Sequence, residues 1–160
     1  MRFIDANIFI NWLRASKRNI SMESAISGYI INMLLIGEEM LTTTLVKDEV
    51  LIWLSRYRAR KLKEFMRLLR EAHGLIIVAP TIKDEEFAVE NHGKLPLGFS
   101  DLVNVSVMKR FKVREIYTND KNFERLGFRV IFDEIVKTDE FQDFVRELRK
   151  RGYVVQLNNK

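Results

Sequence analysis

The chain has 160 residues, 47% of them hydrophobic and 31% charged, with a formal net charge of +5. This is ordinary globular composition, and the length suffices to bury a core within one domain. With no cysteine and only two histidines, His73 and His92, the chain excludes disulfides, zinc ribbons, thiol chemistry and a histidine-rich metal site.

In chain order, Arg2 to Asp5 reads as a first strand that delivers one aspartate into the start of a helix over Asn7 to Arg14. Met22 to Glu39 is a second helix, with Ile26, Ile30, Met33 and Leu34 at three- and four-residue steps. Ile31, Leu35 and Ile36 make it apolar nearly all round, which points to burial in the core or in a homodimer interface. Met40 to Thr43 is a short strand, and Leu45 to Tyr57 a helix. A basic helix follows from Arg58 to about Ala72, with Gly74 placed to end it. Leu75 to Val78 (LIIV) reads as a buried strand, and Lys83 to Glu90 as a helix. His92 to Ser100 is a loop punctuated by Gly and Pro. Ser100 has the chemistry of an N-cap for a helix over Asp101 to Phe111. Glu115 to Thr118 and Phe128 to Phe132 are two more buried strands. Thr138 to Arg151 is a basic amphipathic helix, and YVVQL is a candidate final strand. Alternation of strands and helices predicts an α/β fold, a three-layer α/β/α sandwich around a central, mostly parallel sheet.

The segment Tyr29 to Ile36, the longest apolar run, is interrupted by Asn32 and falls far short of the roughly 20 residues that span a bilayer. No leader-like start is present, so a soluble, cytoplasmic protein without membrane contact is expected. The stretch Arg56 to Arg70 carries seven basic residues against Glu64 alone, and RELRKR repeats the bias over Arg146 to Arg151. Such residues suit either a solvated helix face or a surface that tracks phosphates. On the second reading Arg56, Arg58, Arg60 and Lys61 are the candidate RNA-binding residues.

Four acids stand out by position. Asp5 ends the first strand, Glu49 sits one turn into the helix of TTTLVKDEVLIWL, Asp101 opens a helix, and Asp120 follows a strand in YTNDKNF. Singly each has a plain structural role, as a cap or a surface charge. Asp84, Glu85 and Glu86 read as a solvated helix start. Together, FIDANIFI, the helix acid of TTTLVKDEVLIWL, FSDLVNVSVMKRF and IYTNDKNFERLGFRVIF resemble, in the same order, the four signature regions of PIN-domain ribonucleases, and within that group VapC-type toxins. The resemblance covers about residues 1 to 132. Residues 133–160 lie beyond the usual core and are expected to form a helical extension on the same domain. Ala6 stands where the family often has Thr, and Asp48 beside Glu49 leaves the choice of the second acid to alignment.

The resemblance implies an endoribonuclease that hydrolyses phosphodiester bonds in single-stranded RNA and leaves a 5′-phosphate. It implies Asp5 and Asp101 as direct metal ligands, with Glu49 and Asp120 binding the metal directly or through water and positioning the attacking hydroxide. Asn7, Thr118 and Ser100 become supporting groups, Ser100 with helix capping as its first role. Physical chemistry agrees: two carboxylates about 4 Å apart repel by roughly 4 kcal/mol at an effective dielectric near 20, and a divalent cation reverses that sign. A donor set of oxygens alone selects a hard ion, Mg²⁺ or Mn²⁺. An antitoxin and a second copy of the chain are the implied partners. The alternatives are a catalytically idle RNA- or protein-binding module and a free-standing RNA-processing nuclease. A response-regulator receiver, which needs an acidic pair after its first strand, and a longer flap-type nuclease fit less well.

Overall fold

The computed structural model describes residues 1–156. Five strands form one all-parallel sheet: β1 (Arg2–Ile4), β2 (Met40–Thr43), β3 (Leu75–Val78), β4 (Glu115–Tyr117) and β5 (Arg129–Val130), in the order β3-β2-β1-β4-β5. The chain reaches β2 through α1 (Ala6–Leu13) and α2 (Met22–Leu35), and β3 through α3 (Thr44–Tyr57), a 3₁₀ turn at Ala59–Lys61 and α4 (Leu62–Glu71). It then returns through α5 (Ile82–Asn91) and α6 (Phe99–Arg110) to place β4 on the other side of β1. A 3₁₀ segment at Lys121–Leu126 leads into β5, and α7 (Phe132–Ile135) and α8 (Asp139–Lys150) follow. Helices α1 to α4 and α8 pack with one another, and α5 packs on α6. This is the α/β/α arrangement expected of a parallel sheet, whose strands are covered on both faces. None of the described helices is long and apolar enough to cross a membrane.

The three inner strands are apolar because both faces are covered: Phe3, Ile4, Met40, Leu41, Ile116 and Tyr117 are fully buried. Thr42 is buried with them and donates to the Ile4 carbonyl at 2.9 Å. Tyr117 also carries a hydroxyl into that region, which accepts from Arg2 at 2.6 Å and donates to Glu38 at 2.9 Å. β3 departs from expectation. It is the sheet's outer strand, so Ile76 and Ile77 remain 41% and 37% exposed. The strand expected over Phe128 to Phe132 is also shorter, because Phe132 already opens α7.

Helix α2 resolves the choice between core and surface residue by residue. Leu34, Ile30 and Ala25 are fully buried in the core, whereas Leu35 and Ile36 at its end are 45% and 76% exposed. Leu34 is therefore a core residue, not an interface residue. Asp84 is a second correction. It is buried, and its carboxylate completes a capping box with Thr81 and accepts from Ser106 and Arg110, both at 2.8 Å. Burial alone would raise this carboxyl, yet the Arg110 guanidinium and the capping N–H hold it at about 2. The candidate strand over 153–157 reduces to one parallel bridge between Ile20 and Val155, and Leu157 lies outside the described residues. Helix α8 lies on α2, where Tyr29 meets the rings of Phe141 and Phe144 edge-on.

Gly28 marks a close approach of α1 and α2. A Cβ there would lie 2.5 Å from Cε3 of the Trp12 indole. Alanine would gain about 1 kcal/mol of helix propensity, but overpacking of this kind costs about 1–3 kcal/mol. Gly28→Ala should therefore lower the denaturant midpoint, and Gly28→Ala paired with Trp12→Leu should recover part of the loss. A stabilised single variant would show that the indole is free to move.

Candidate active site at the carboxyl ends of β1 and β4

The strand order reverses direction between β1 and β4, where successive connections leave to opposite sides. Open α/β sheets bind ligands in the crevice at that switch point, outside the carboxyl ends of the strands. Asp5 is the first residue beyond β1 and Thr118 the first beyond β4. Asp5 is buried and caps α1: its Oδ1 accepts from the Ala6 N–H at 2.8 Å. Its Oδ2 accepts from the Thr118 hydroxyl at 2.8 Å and from the Asn7 amide at 2.9 Å. The Asn7 amide donates to Thr118 as well, at 2.8 Å, and the Asp120 N–H donates to the same hydroxyl oxygen at 3.1 Å. Thr118 thus ties the ends of both strands together through one oxygen. Asp120 in turn caps the 3₁₀ segment behind it by accepting from the Asn122 N–H at 2.9 Å.

Two further acids face this crevice from helices. Burial, then the charge of Asp5, raises the Glu49 carboxyl at the rim. Burial, then the charges of Asp5, Glu49 and Asp120, pushes half-buried Asp101 up to about 7. Asp5 is raised as well, by burial first and with Asp120 adding to it, against the hydrogen bonds from Thr118, Ala6 and Asn7 that favour its charged form. Charges from four separate parts of the chain therefore meet at this crevice: Asp120 acts on Asp5, Asp5 on Glu49, and all three on Asp101. Asp48 pairs with Lys47, whereas the charge of Asp5 reaches Glu49; both Asp48 and Glu49 line the cleft described next. Among the described residues, no three His, Asp or Glu side chains are packed tightly enough to form a ready-made metal cage.

Ser100 does not cap α6. The helix starts at Phe99 with Gly98 as N-cap, so Ser100 lies within its first turn. It lines a cleft of about 410 Å³ together with Glu49, Trp53, Arg56 and Tyr57. Trp53 and Tyr57 pack with their rings tilted by 48°, 5.5 Å between ring centres, and form its aromatic wall. Of the four candidate basic residues, Arg56 lines this cleft. Arg58 donates to the Tyr57 carbonyl, Arg60 is exposed, and Lys61 pairs with Glu64 at 3.2 Å.

One pair escaped the sequence reading. The Thr43 hydroxyl, which caps α3, donates to Oδ1 of Asn104 at 2.7 Å, and both residues are buried. Asn104 lies one turn along α6 from Asp101, so this bond couples the helix that carries Asp101 to the helix that carries Glu49. The signals were a threonine run before a helix and an asparagine three residues after an acid.

The PIN-domain family model matches residues 2–129. No curated protein matches significantly in sequence. Among solved structures, VapC20 of Mycobacterium tuberculosis, a toxin described as cleaving the sarcin-ricin loop, is similar with a TM-score of 0.65 at 18% identity, over 80% of this chain and 96% of its own. A toxin-antitoxin complex from Klebsiella pneumoniae gives 0.57 at 14% identity, over 77% and 90%. VapBC2 of Rickettsia felis, bound to a DNA fragment from its promoter, gives 0.55 at 17%, over 81% and 95%. At such identities the likeness speaks for the fold.

The electrostatics of Asp101 have a signed consequence. Its folded pKa, about 7, lies above the value near 3.9 of an unfolded Asp, so the folded state binds the proton more tightly. Without divalent ions, stability should fall as pH rises from about 4 to 7, and the penalty should be complete above that range. Asp101→Asn should then be more stable than the parent at pH 8 in EDTA, by on the order of 2–4 kcal/mol, and equal to it near pH 4. Parallel pH profiles for the two proteins in urea unfolding would contradict the coupling.

Proposed function

This chain belongs to the PIN-domain family, and from that premise we propose that it is a Mg²⁺- or Mn²⁺-dependent endoribonuclease acting on single-stranded RNA, the toxin of a toxin-antitoxin pair. The observation that carries the reading is the convergence of Asp5, Glu49, Asp101 and Asp120 on one crevice at the ends of β1 and β4, where burial first, and then the charges of the other three, push Asp101 up to about 7. Carboxylates kept in mutual repulsion are a poor way to stabilise a fold and a good way to attract a doubly charged ion. The donors are all oxygen, which suits a hard cation. Mg²⁺ takes one or two carboxylates directly and keeps several waters, so a loose set of four acids fits it better than a closed cage would.

In this reading Asp5 and Asp101 hold the ion, with Glu49 and Asp120 reaching it directly or through water. When bound, such an ion lowers the pKa of water and offsets the charge that builds on a scissile phosphate. The chain supplies the rest. Thr118, Asn7 and the Ala6 N–H fix Asp5 in one orientation. Glu49, its carboxyl raised by burial and then by the charge of Asp5, stands at the rim where it can accept a proton from the attacking water. The water oxygen bonds to phosphorus, the P–O3′ bond breaks, and the leaving oxygen takes up a proton to leave a 3′-hydroxyl and a 5′-phosphate. Arg56 neutralises a phosphate, and Trp53 and Tyr57 offer faces for bases. A small antitoxin protein, a second copy of the chain and a cytoplasmic setting complete the proposal. Leu35 and Ile36, the exposed apolar end of α2, are the part of that helix open to such a contact.

The test is cleavage of single-stranded RNA with and without Mn²⁺. Asp5→Asn and Asp101→Asn should abolish turnover and manganese uptake by calorimetry. Thr118→Val, which keeps shape but loses the hydrogen bonds to Asp5 and Asp120, should cost about 10–100-fold. RNA binding without metal-dependent cleavage would favour the idle module, and cleavage with no antitoxin gene alongside would favour a processing enzyme. Replacing Arg56, Arg58, Arg60 and Lys61 by Ser should flatten the salt dependence of RNA binding by about 0.7 log unit per lost phosphate contact. An unchanged slope would return them to a solvated face.

A further inference from the structure

A second pocket, of about 200 Å³, is lined by Trp12, Ser16, Lys17, Lys61, Glu64 and Tyr153. Three distant parts of the chain meet there. Trp12 comes from the end of α1, with its ring packed against Gly28 and so held in place. Lys61 comes from the turn before α4. Tyr153 comes from the segment after α8, where Gly152 turns the chain at φ +87°. That segment is tied down by backbone bonds: Val154 N–H donates to the Lys17 carbonyl at 2.9 Å, Ile20 N–H to the Val154 carbonyl at 2.9 Å, and Gln156 N–H to the Ile20 carbonyl at 2.8 Å. The Lys17 ammonium stands 5.3 Å over the Tyr153 ring.

We propose that this pocket is a subsite for one nucleotide of a single-stranded RNA, its base against Trp12 and Tyr153 and its phosphate met by Lys17. The inference rests on the reading of RNA as substrate and adds where a second stretch of that RNA is held. Aromatic faces combined with ammonium groups are what single strands bind irrespective of sequence. The one acid in the pocket, Glu64, pairs with Lys61 at 3.2 Å, so these two charges offset each other and Lys17 supplies the pocket's net positive charge. The pocket is joined to the acid cleft by a single basic stretch: Arg56 lines the cleft, exposed Arg58 and Arg60 follow, and Lys61 lines the pocket. Trp12 lies two turns along α1 from Asp5, about 10 Å at 1.5 Å per residue, so the nucleotide held here is not the one cleaved. Tyr153 lies outside the residues matched by the family model, 2–129, so this half of the pocket belongs to the chain's own extension.

The experiment measures binding of labelled single-stranded RNA of roughly twelve and roughly three nucleotides to the full chain in EDTA, by fluorescence anisotropy. Trp12 is left in place, because its removal opens a cavity beside Gly28. Tyr153→Ala and Lys17→Glu should each weaken binding of the longer oligomer about tenfold and leave the shorter one unchanged, and Tyr153→Phe should behave as the parent. With Mn²⁺ added, the first two variants should raise KM for the longer RNA at constant kcat. Equal binding of the longer oligomer by parent and variants overturns the subsite. So does equal weakening of both oligomers, which would reveal a merely structural tail. Cleavage that ignores both variants removes the subsite and leaves the nuclease standing. Tyr153-dependent binding without cleavage does the reverse, and a parent that binds neither oligomer, in EDTA or with Mn²⁺, sinks both.

Discussion

The site depends on keeping the Asp5 carboxylate in one place against the repulsion of its neighbours. Burial raises its pKa and so works against its charge; the Thr118 hydroxyl, the Asn7 amide and the Ala6 N–H work for it. Hydrogen bonds to a charged group are worth about 1.5–3 kcal/mol each, comparable to one carboxylate–carboxylate repulsion at close range. The balance is therefore near enough to be tipped by whatever charge arrives in the crevice. Because Thr118 follows β4 and Asp5 follows β1, the same bonds also close the gap between the two strands at which the sheet reverses. Asp5 further caps α1, and Asp120 caps the 3₁₀ segment. Groups that carry the charge are thus also those that start the local structure, and neither role can be altered alone.

Charge is segregated along the molecule. Acids gather at the carboxyl ends of the central strands, while the bases lie along the end of α3, the turn after it and α4. Seven of the chain's 27 basic residues fall between Arg56 and Arg70. An anionic polymer is drawn to the basic flank and repelled by the crevice unless a cation sits there, so affinity and reactivity answer to different parts of the surface.

Much of the fold was legible because the inner strands are short apolar runs and the helices have apolar residues at helical spacing. The failures are physical in kind. Ser100 looks like an N-cap by chemistry, but the backbone turns into the helix earlier, at Gly98, where no side chain supplies the cap. Asp84 has its threonine three residues before it, a spacing that could have been read, but its burial depends on Arg110 from another helix. LIIV has the pattern of a buried strand, and only strand order reveals that it forms the rim. At the candidate site, the sequence put four acids near strand ends or helix starts. That Asp101 responds to the other three is a property of the folded arrangement, and no spacing along the chain encodes it. Asp48 and Glu49 are neighbours about 100° apart around one helix, so the pattern could not choose between them.

The seam between residues 17–20 and 153–156 bears on how the molecule is made. Residues 17–20 leave the ribosome long before residues 153–156, so the side of the Trp12 pocket that Tyr153 walls stays open while the chain between them is made. Contacts between such remote parts of a chain are slow to form. A nascent chain would lack the Tyr153 wall even after the acid crevice had taken shape.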